Sequence, residues 1–251
     1  MTNTAKKGFN ANQLKIIAMI SMTTDHLVSV IYPDYPTEWW IILLHILGRL
    51  AAPTFWFFLV EGYCHTHDRK KYALRLFLFS IVGHFTYNFA FGIPFIPFQT
   101  SVFNQTSVMW PLFWGLIALM VNDSGSLKQW QKTFIIAAIC AITFCSDWSC
   151  IAVLAILMIY DNRGSFKKQM AGMMFCVAMY AAVYAIFINP VYGIIQMFVA
   201  LTIPLLARYN GERGSWKGMK WFFYLYYPAH LIVCGIIRLA LHGNTGVMIG
   251  G

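Results

Sequence analysis

Almost every charge in this chain falls in a short stretch between apolar runs of membrane-spanning length, and that pattern decides what the chain can fold into. Of 251 residues, 59% are hydrophobic and 11% are charged, against about a quarter charged in ordinary soluble domains. So few charges cannot clothe a soluble core, and lipid has to stand in for water around much of the chain. A span needs about 20 apolar residues, with a range of roughly 17–25. The runs that meet or approach this are 14–31, 40–63, 72–91, 108–121, 133–145, 150–160, 169–188, 192–207 and 221–241. Those starting at Val108, Thr133 and Cys150 are short, which leaves room for one re-entrant segment. The expectation is an all-α, polytopic membrane helix bundle of about nine transmembrane helices, a single transmembrane domain over residues 1–251.

The loop charges test the count independently. With the N-terminus in the cytoplasm and sides alternating, one side holds Lys6, Lys7 and Lys15; Arg69, Lys70, Lys71 and Arg75; Lys128 and Lys132; Arg163, Lys167 and Lys168; and Arg208, Arg213, Lys217 and Lys220. The loops of the other side, PDYPTE, GIPFIPFQTSVFNQTS, SDWS and NPV, hold no Lys or Arg. This is a positive-inside bias and puts the N-terminus in the cytoplasm and the C-terminus outside. It also accounts for the net charge of +9 without a nucleic-acid partner, since no basic face is left to track phosphates.

The first run contains Asp25 and His26, and no A-x-A site follows it, so it reads as an uncleaved span. None of the six cysteines stands in C-x-x-C spacing, and they read as packing residues. Trp39, Trp40, Trp130, Trp148, Trp216 and Trp221 suit an interfacial belt. Pro53, Pro111 and Pro228 lie inside spans, where they kink or loosen a helix.

Ionisable groups at membrane depth cost about 2.5–3.5 kcal/mol each on insertion scales, so each needs a partner, a cavity or a task. Asp25 and His26 lie some 15–20 Å along the first span. Neighbours in a helix point about 100° apart, so each must meet groups on other helices. Arg49 is a deep cation whose natural partner is Asp25. A guanidinium fork also suits the phosphate or thioester of a cofactor. Glu61 is one turn from His65 near the cytoplasmic end of its span, and His84 shares a face with Asn88. His230 follows Pro228 about 15 Å into the last span, and Arg238 sits near the outer end, where a long side chain snorkels. No closed ligand set for a metal is visible. Neither G-x-x-x-x-G-K-[ST] nor G-x-S-x-G occurs.

Six stretches carry a resemblance: LKIIAMISMTTDHL (14–27), GRLAAPTFWFFLVEG (48–62), KYALRLFLFS (71–80), the Asp147–Trp148 corner, YNGERG (209–214) and KWFFYLYYPAHL (220–231). In this order the chain resembles the TraX family, known for the protein that acetylates the N-terminus of F-type conjugative pilin. That family is similar in turn to the wider group of transmembrane acyltransferases. The stretch SVMWPLFWG (107–115) departs from the family pattern. The resemblance implies a bacterial-type inner membrane location, acetyl-CoA as co-substrate with no metal, and an exported peptide, pilin or glycan as acceptor. It implies catalytic roles for His26 and His230 with Asp25 in support, and a cofactor-binding role for Arg49. Glu61, His84 and Asn88 are then supporting or substrate-binding candidates. Intramembrane Asp, Arg and His suit a proton-coupled small-molecule transporter as well, although no internal repeat of the transporter kind is visible. A scaffold for pilus or envelope assembly is the third reading.

Overall fold

In lipid every backbone N–H and C=O has to be paired within the protein, and a helix pairs them inside one segment. The computed structural model of the protein describes residues 8–99 and 101–247 and is helical at each expected run. Lys6 and Lys7 lie outside the described residues. The helices are α1 (Ala11–Ile31), α2 (Trp39–Gly48), α3 (Ala51–His65), α4 (Arg69–Phe91), α5 (Met109–Asn122), α6 (Gln129–Thr143), α7 (Ile151–Asp161), α8 (Phe166–Phe187), α9 (Pro190–Gln196), α10 (Thr202–Ala207) and α11 (Met219–His242). A 3₁₀ turn, Met197–Leu201, joins α9 to α10. Among the described residues there is no β-strand, and two isolated bridges occur in loops. Five stretches are long and apolar enough to cross a membrane: Ala11–Ile31, Trp39–His65, Phe166–Phe187, Pro190–Ala207 and Met219–His242. Met109–Asn122 and Ile151–Asp161 are shorter apolar helices. The remaining long helix, α4, opens on Arg69, Lys70, Lys71 and Arg75. The protein is a polytopic helical membrane bundle.

Helix α3 is its centre. Residues 51–60 are all buried, as a helix apolar on every side must be. It packs against α1, α5 and α7. Around it α1 meets α11, α11 meets α4, α4 meets α5, and α5 meets α7. Outward faces carry exposed Ile20, Leu43, Phe134, Ile186 and Ile236, the side chains a lipid-facing surface uses.

The second run is not one helix, and Pro53 explains the break. A proline has no N–H and its ring pushes on the carbonyl four residues back, here that of Arg49. Helix α2 accordingly ends at Gly48, and α3 starts at Ala51. Gly48 lies against α1 so closely that a Cβ there would overlap the Asp25 side chain. The missing side chain lets Arg49 reach Asp25.

The two ends of the bundle are closed differently. At the end bearing the basic loops, Phe9 N–H donates to the Arg208 carbonyl at 2.8 Å, and Ala11 N–H to that of Glu212 at 2.8 Å. This fastens the start of α1 to the loop before α11. At the opposite end Gln105 N–H donates to the Cys145 carbonyl (2.7 Å) and Asp147 N–H to that of Thr106 (2.9 Å), tying the α4–α5 loop to the α6–α7 loop.

Two expectations are corrected here. Trp39, Trp130 and Trp221 are exposed, as a belt requires, but Trp148 is 5% exposed. The α6–α7 loop turns inward through left-handed backbone at Trp148 (φ +60°) and Ser149 (φ +49°). The indole then packs on Tyr180 (5.0 Å between centroids) and edge-on to Trp56 (5.1 Å). Arg238 does not snorkel, being buried and donating to the carbonyls of Gly243 (3.0 Å), Thr245 (2.9 Å) and Phe89 (3.2 Å). The chain folds back past Gly243 and brings the Gly243 and Thr245 oxygens to the guanidinium, while α4 supplies that of Phe89, so it never has to reach headgroups.

Candidate functional site

The α1 residues Asp25 and His26 go to different neighbours, as their angular separation demands. Asp25 Oδ1 accepts from Arg49 Nη2 at 2.6 Å and from His45 Nδ1 at 2.9 Å. Arg49 also donates from Nη1 to Gln196 Oε1 (2.9 Å) and from Nε to the His45 carbonyl (3.1 Å). Its guanidinium lies 5.8 Å from the Trp148 ring centroid. All four polar residues are buried. A guanidinium has five N–H groups, and these bonds occupy one on each nitrogen. One N–H on Nη1 and one on Nη2 remain.

His26 turns to α11 instead. Its Nδ1 lies 2.9 Å from His230 Nε2, and the two rings stack at 5.1 Å, 9° apart in plane. His230 Nδ1 lies 3.1 Å from the Tyr226 carbonyl oxygen, which can only accept. With both imidazoles neutral, His230 therefore carries its hydrogen on Nδ1 and accepts at Nε2. His26 then donates from Nδ1, and its Nε2 keeps a lone pair. Tyr226 stacks with His230 at 5.4 Å, and its hydroxyl meets Thr23 Oγ1 at 2.7 Å. The relay is thus locked from both ends of the chain.

Two cavities adjoin these groups. A small one of about 30 Å³ is bordered by Asp25, His26, Arg49, Asp147, Trp148 and Phe55 among others. A larger one of about 540 Å³ opens at the basic end. Lys15, Arg75, Arg213 and Lys220 line it, against the carboxylate of Glu61. Arg75 Nε is buried there with no hydrogen-bond partner. Phe55 belongs to both linings and forms the wall between them.

The structure thus brings Asp25, His26 and Arg49 around one pocket and His230 behind His26. Glu61 stands in the larger cavity. His84 and Asn88 are elsewhere: His84 meets Thr106 Oγ1 (3.0 Å) and the Phe95 carbonyl (2.8 Å), and Asn88 Nδ2 donates to the Pro94 carbonyl (2.8 Å). They anchor the α4–α5 loop. Among the described residues no group of three or more His, Cys, Asp or Glu is gathered as a metal site. Sequence reasoning missed His45 and Gln196. His45 was detectable, lying four residues before Arg49 and so on its face. Gln196 was detectable as a polar residue inside an apolar run.

Fold and site together define a polytopic helical membrane protein with a buried polar centre and a separate cationic cavity at its basic end. Its chain belongs to the TraX protein family, whose family model matches residues 10–238. It is also 30% identical over 230 residues to a probable fimbrial assembly protein, FimC of serogroup H1, from Dichelobacter nodosus. That match covers 89% of this chain and 93% of the relative. No solved structure matches it.

Proposed function

We propose that the protein is an acetyl-CoA-dependent acetyltransferase of the bacterial inner membrane, acting on an acceptor amine or hydroxyl that comes from the outer side. The observation that carries this reading is the His26–His230 relay at a pocket one phenyl ring away from a cationic cavity. In the positive-inside orientation the cavity opens to the cytoplasm. Lys15, Arg75, Arg213 and Lys220 suit the phosphates of a nucleotide thioester, and the apolar depth up to Phe55 suits its pantetheine arm. The fimbrial assembly relative supports a pilin-like N-terminus as one acceptor.

The chemistry balances without a further reagent. The acceptor nitrogen or oxygen attacks the thioester carbonyl carbon, and His26 Nε2 takes its proton as general base. The new bond to carbon forms, the C–S bond breaks, and the thiolate leaves and collects that proton. His230 has both ring nitrogens engaged, so its role is to hold His26 in the productive tautomer. The two remaining Arg49 N–H groups are the donors for the developing oxyanion.

The test is thermal unfolding of the detergent-purified protein with acetyl-CoA, with CoA release followed in parallel. Saturable stabilisation that is lost in Arg75→Ala and Arg213→Ala, with transfer lost but stabilisation kept in His26→Ala, is the expected result. No stabilisation at millimolar ligand in folded protein overturns the reading in favour of a carrier or a scaffold.

A further inference from the structure

The Asp147–Trp148 corner has no part in that chemistry, yet the chain strains to build it. Positive φ at a bulky residue is an outlier, and such backbone persists only where the surroundings over-determine it. Here Trp148 and Ser149 both adopt it. The result is to turn a loop carboxylate inward: Asp147 is 7% exposed and borders the small pocket with Arg49 and His26. Its Oδ1 is buried with no hydrogen-bond partner. Native structures seldom leave a buried carboxylate oxygen without a donor, and such an atom asks for one.

A charge count says which donor. Arg49 is already neutralised by Asp25 at 2.6 Å. With the histidines neutral and Asp147 ionised, the pocket lining retains one uncompensated negative charge, that of Asp147. A ligand bringing a cation with N–H groups restores balance and fills the open valence, whereas a hydroxyl supplies a donor and no charge.

We infer that Asp147 is the residue that receives the acceptor, binding a primary ammonium group through Oδ1 and selecting amines over hydroxyls. This rests on the acetyl-transfer reading above. Burial pushes the Asp147 carboxyl up to about 7, against the opposing pull of Arg49. An α-ammonium has an ordinary value of about 7.7–8.0, so the two are nearly matched. The ammonium hands one proton to Asp147 and becomes the neutral nucleophile; His26 takes the second during attack and passes it to the leaving thiolate, and Asp147 gives the first up to solvent as the amide product departs. The loop lies at the end remote from the basic loops, and His84 braces it through Thr106, whose carbonyl accepts from Asp147 N–H.

The experiment uses the full chain in detergent with acetyl-CoA and two probes: a short peptide amide with a free N-terminus, and the same peptide with a hydroxyl replacing the amine. The wild type is expected to favour the amine at least tenfold in kcat/KM. Asp147→Asn should remove most of that preference, mainly through KM for the amine, and leave the hydroxyl probe within twofold. Asp147→Glu should restore part of it. An unchanged amine preference in Asp147→Asn, or an equal loss for both probes, overturns the inference while acetyl transfer stands. Where the wild type releases no CoA with either probe, the acetyl-transfer reading fails. Binding then decides for Asp147: stabilisation by the amine peptide alone, lost in Asp147→Asn, supports it, and equal stabilisation by both peptides overturns it.

Discussion

Two carboxylates from loops at opposite ends of the bundle are treated in opposite ways. Asp123, just past α5 at the basic end, is satisfied on both oxygens. Tyr63 donates to Oδ2 at 2.7 Å, Tyr160 donates to Oδ1 at 2.6 Å, and Arg69 lies 3.4 Å from Oδ2 while stacking over the Tyr63 ring. This clasp gathers α3, α4, α5 and α7 and leaves neither oxygen without a donor. Asp147 is more deeply buried and has an oxygen without a donor. Nearby polar atoms share that condition, among them Gln196 Nε2 and Tyr87 Oη. A chain able to build the first arrangement has the means to complete the second. The contrast lies in burial and in the cavity beside Asp147, which Asp123 does not border.

The sharpest break in this comparison comes from Arg49. Arg49→Ala strands Asp25 as a buried charge and should cost about 3–5 kcal/mol, read as a large fall in Tm. Adding Asp25→Asn to that variant should recover much of the loss, because the stranded charge is gone. Asp147→Asn should act the other way and raise Tm. Burial holds the Asp147 carboxyl at about 7 when folded, against about 3.9 unfolded. Its ionised form therefore penalises the fold progressively as pH rises between those values. The gain from the substitution should be full at pH 8 and absent at pH 4. Smallest is the clasp: Tyr63→Phe should cost about 1.5–3 kcal/mol, the range for a hydrogen bond to a charged group. Burial alone would raise Asp123, but Tyr160, Tyr63 and Arg69 hold it below the ordinary carboxylate value. Its contribution is then present above pH 4 and lost as pH falls through the lowered folded value. The Tyr63→Phe deficit should shrink correspondingly in acid, where the wild type loses the same bond.

Much of this was legible in the residues. The apolar runs and loop charges located the helices, because length and hydropathy are local properties. Pro53 marked a kink in the run 40–63, which the structure turns into a break beside Arg49, and the adjacency of Asp25 and His26 on one helix announced that they serve different partners. What stayed hidden depends on distant pieces of chain. Nothing local to Trp148 requires left-handed backbone, which glycine more often supplies, so it read as a belt residue. Arg238 looked like a snorkelling cation because the carbonyls that receive it belong to α4 and to the segment past α11, neither of them its neighbours in the run. Lys15, Arg75, Arg213 and Lys220 read as a topology signal, and only the packing of α1, α4 and α11 joins them around one cavity.

The His26–His230 contact has a consequence for how the protein is made. One ring belongs to α1 and the other to α11, 204 residues later in the chain and so later to leave the ribosome. Until α11 is in place, His26 has no partner to fix its tautomer, and the cavity lacks the wall supplied by Lys220, Phe223 and Tyr224. An unfinished chain, or one truncated before its final span, holds most of the bundle and none of the relay. The His26–His230 pair therefore forms only once α11 has joined α1, and a chain lacking α11 has the rest of the bundle without it.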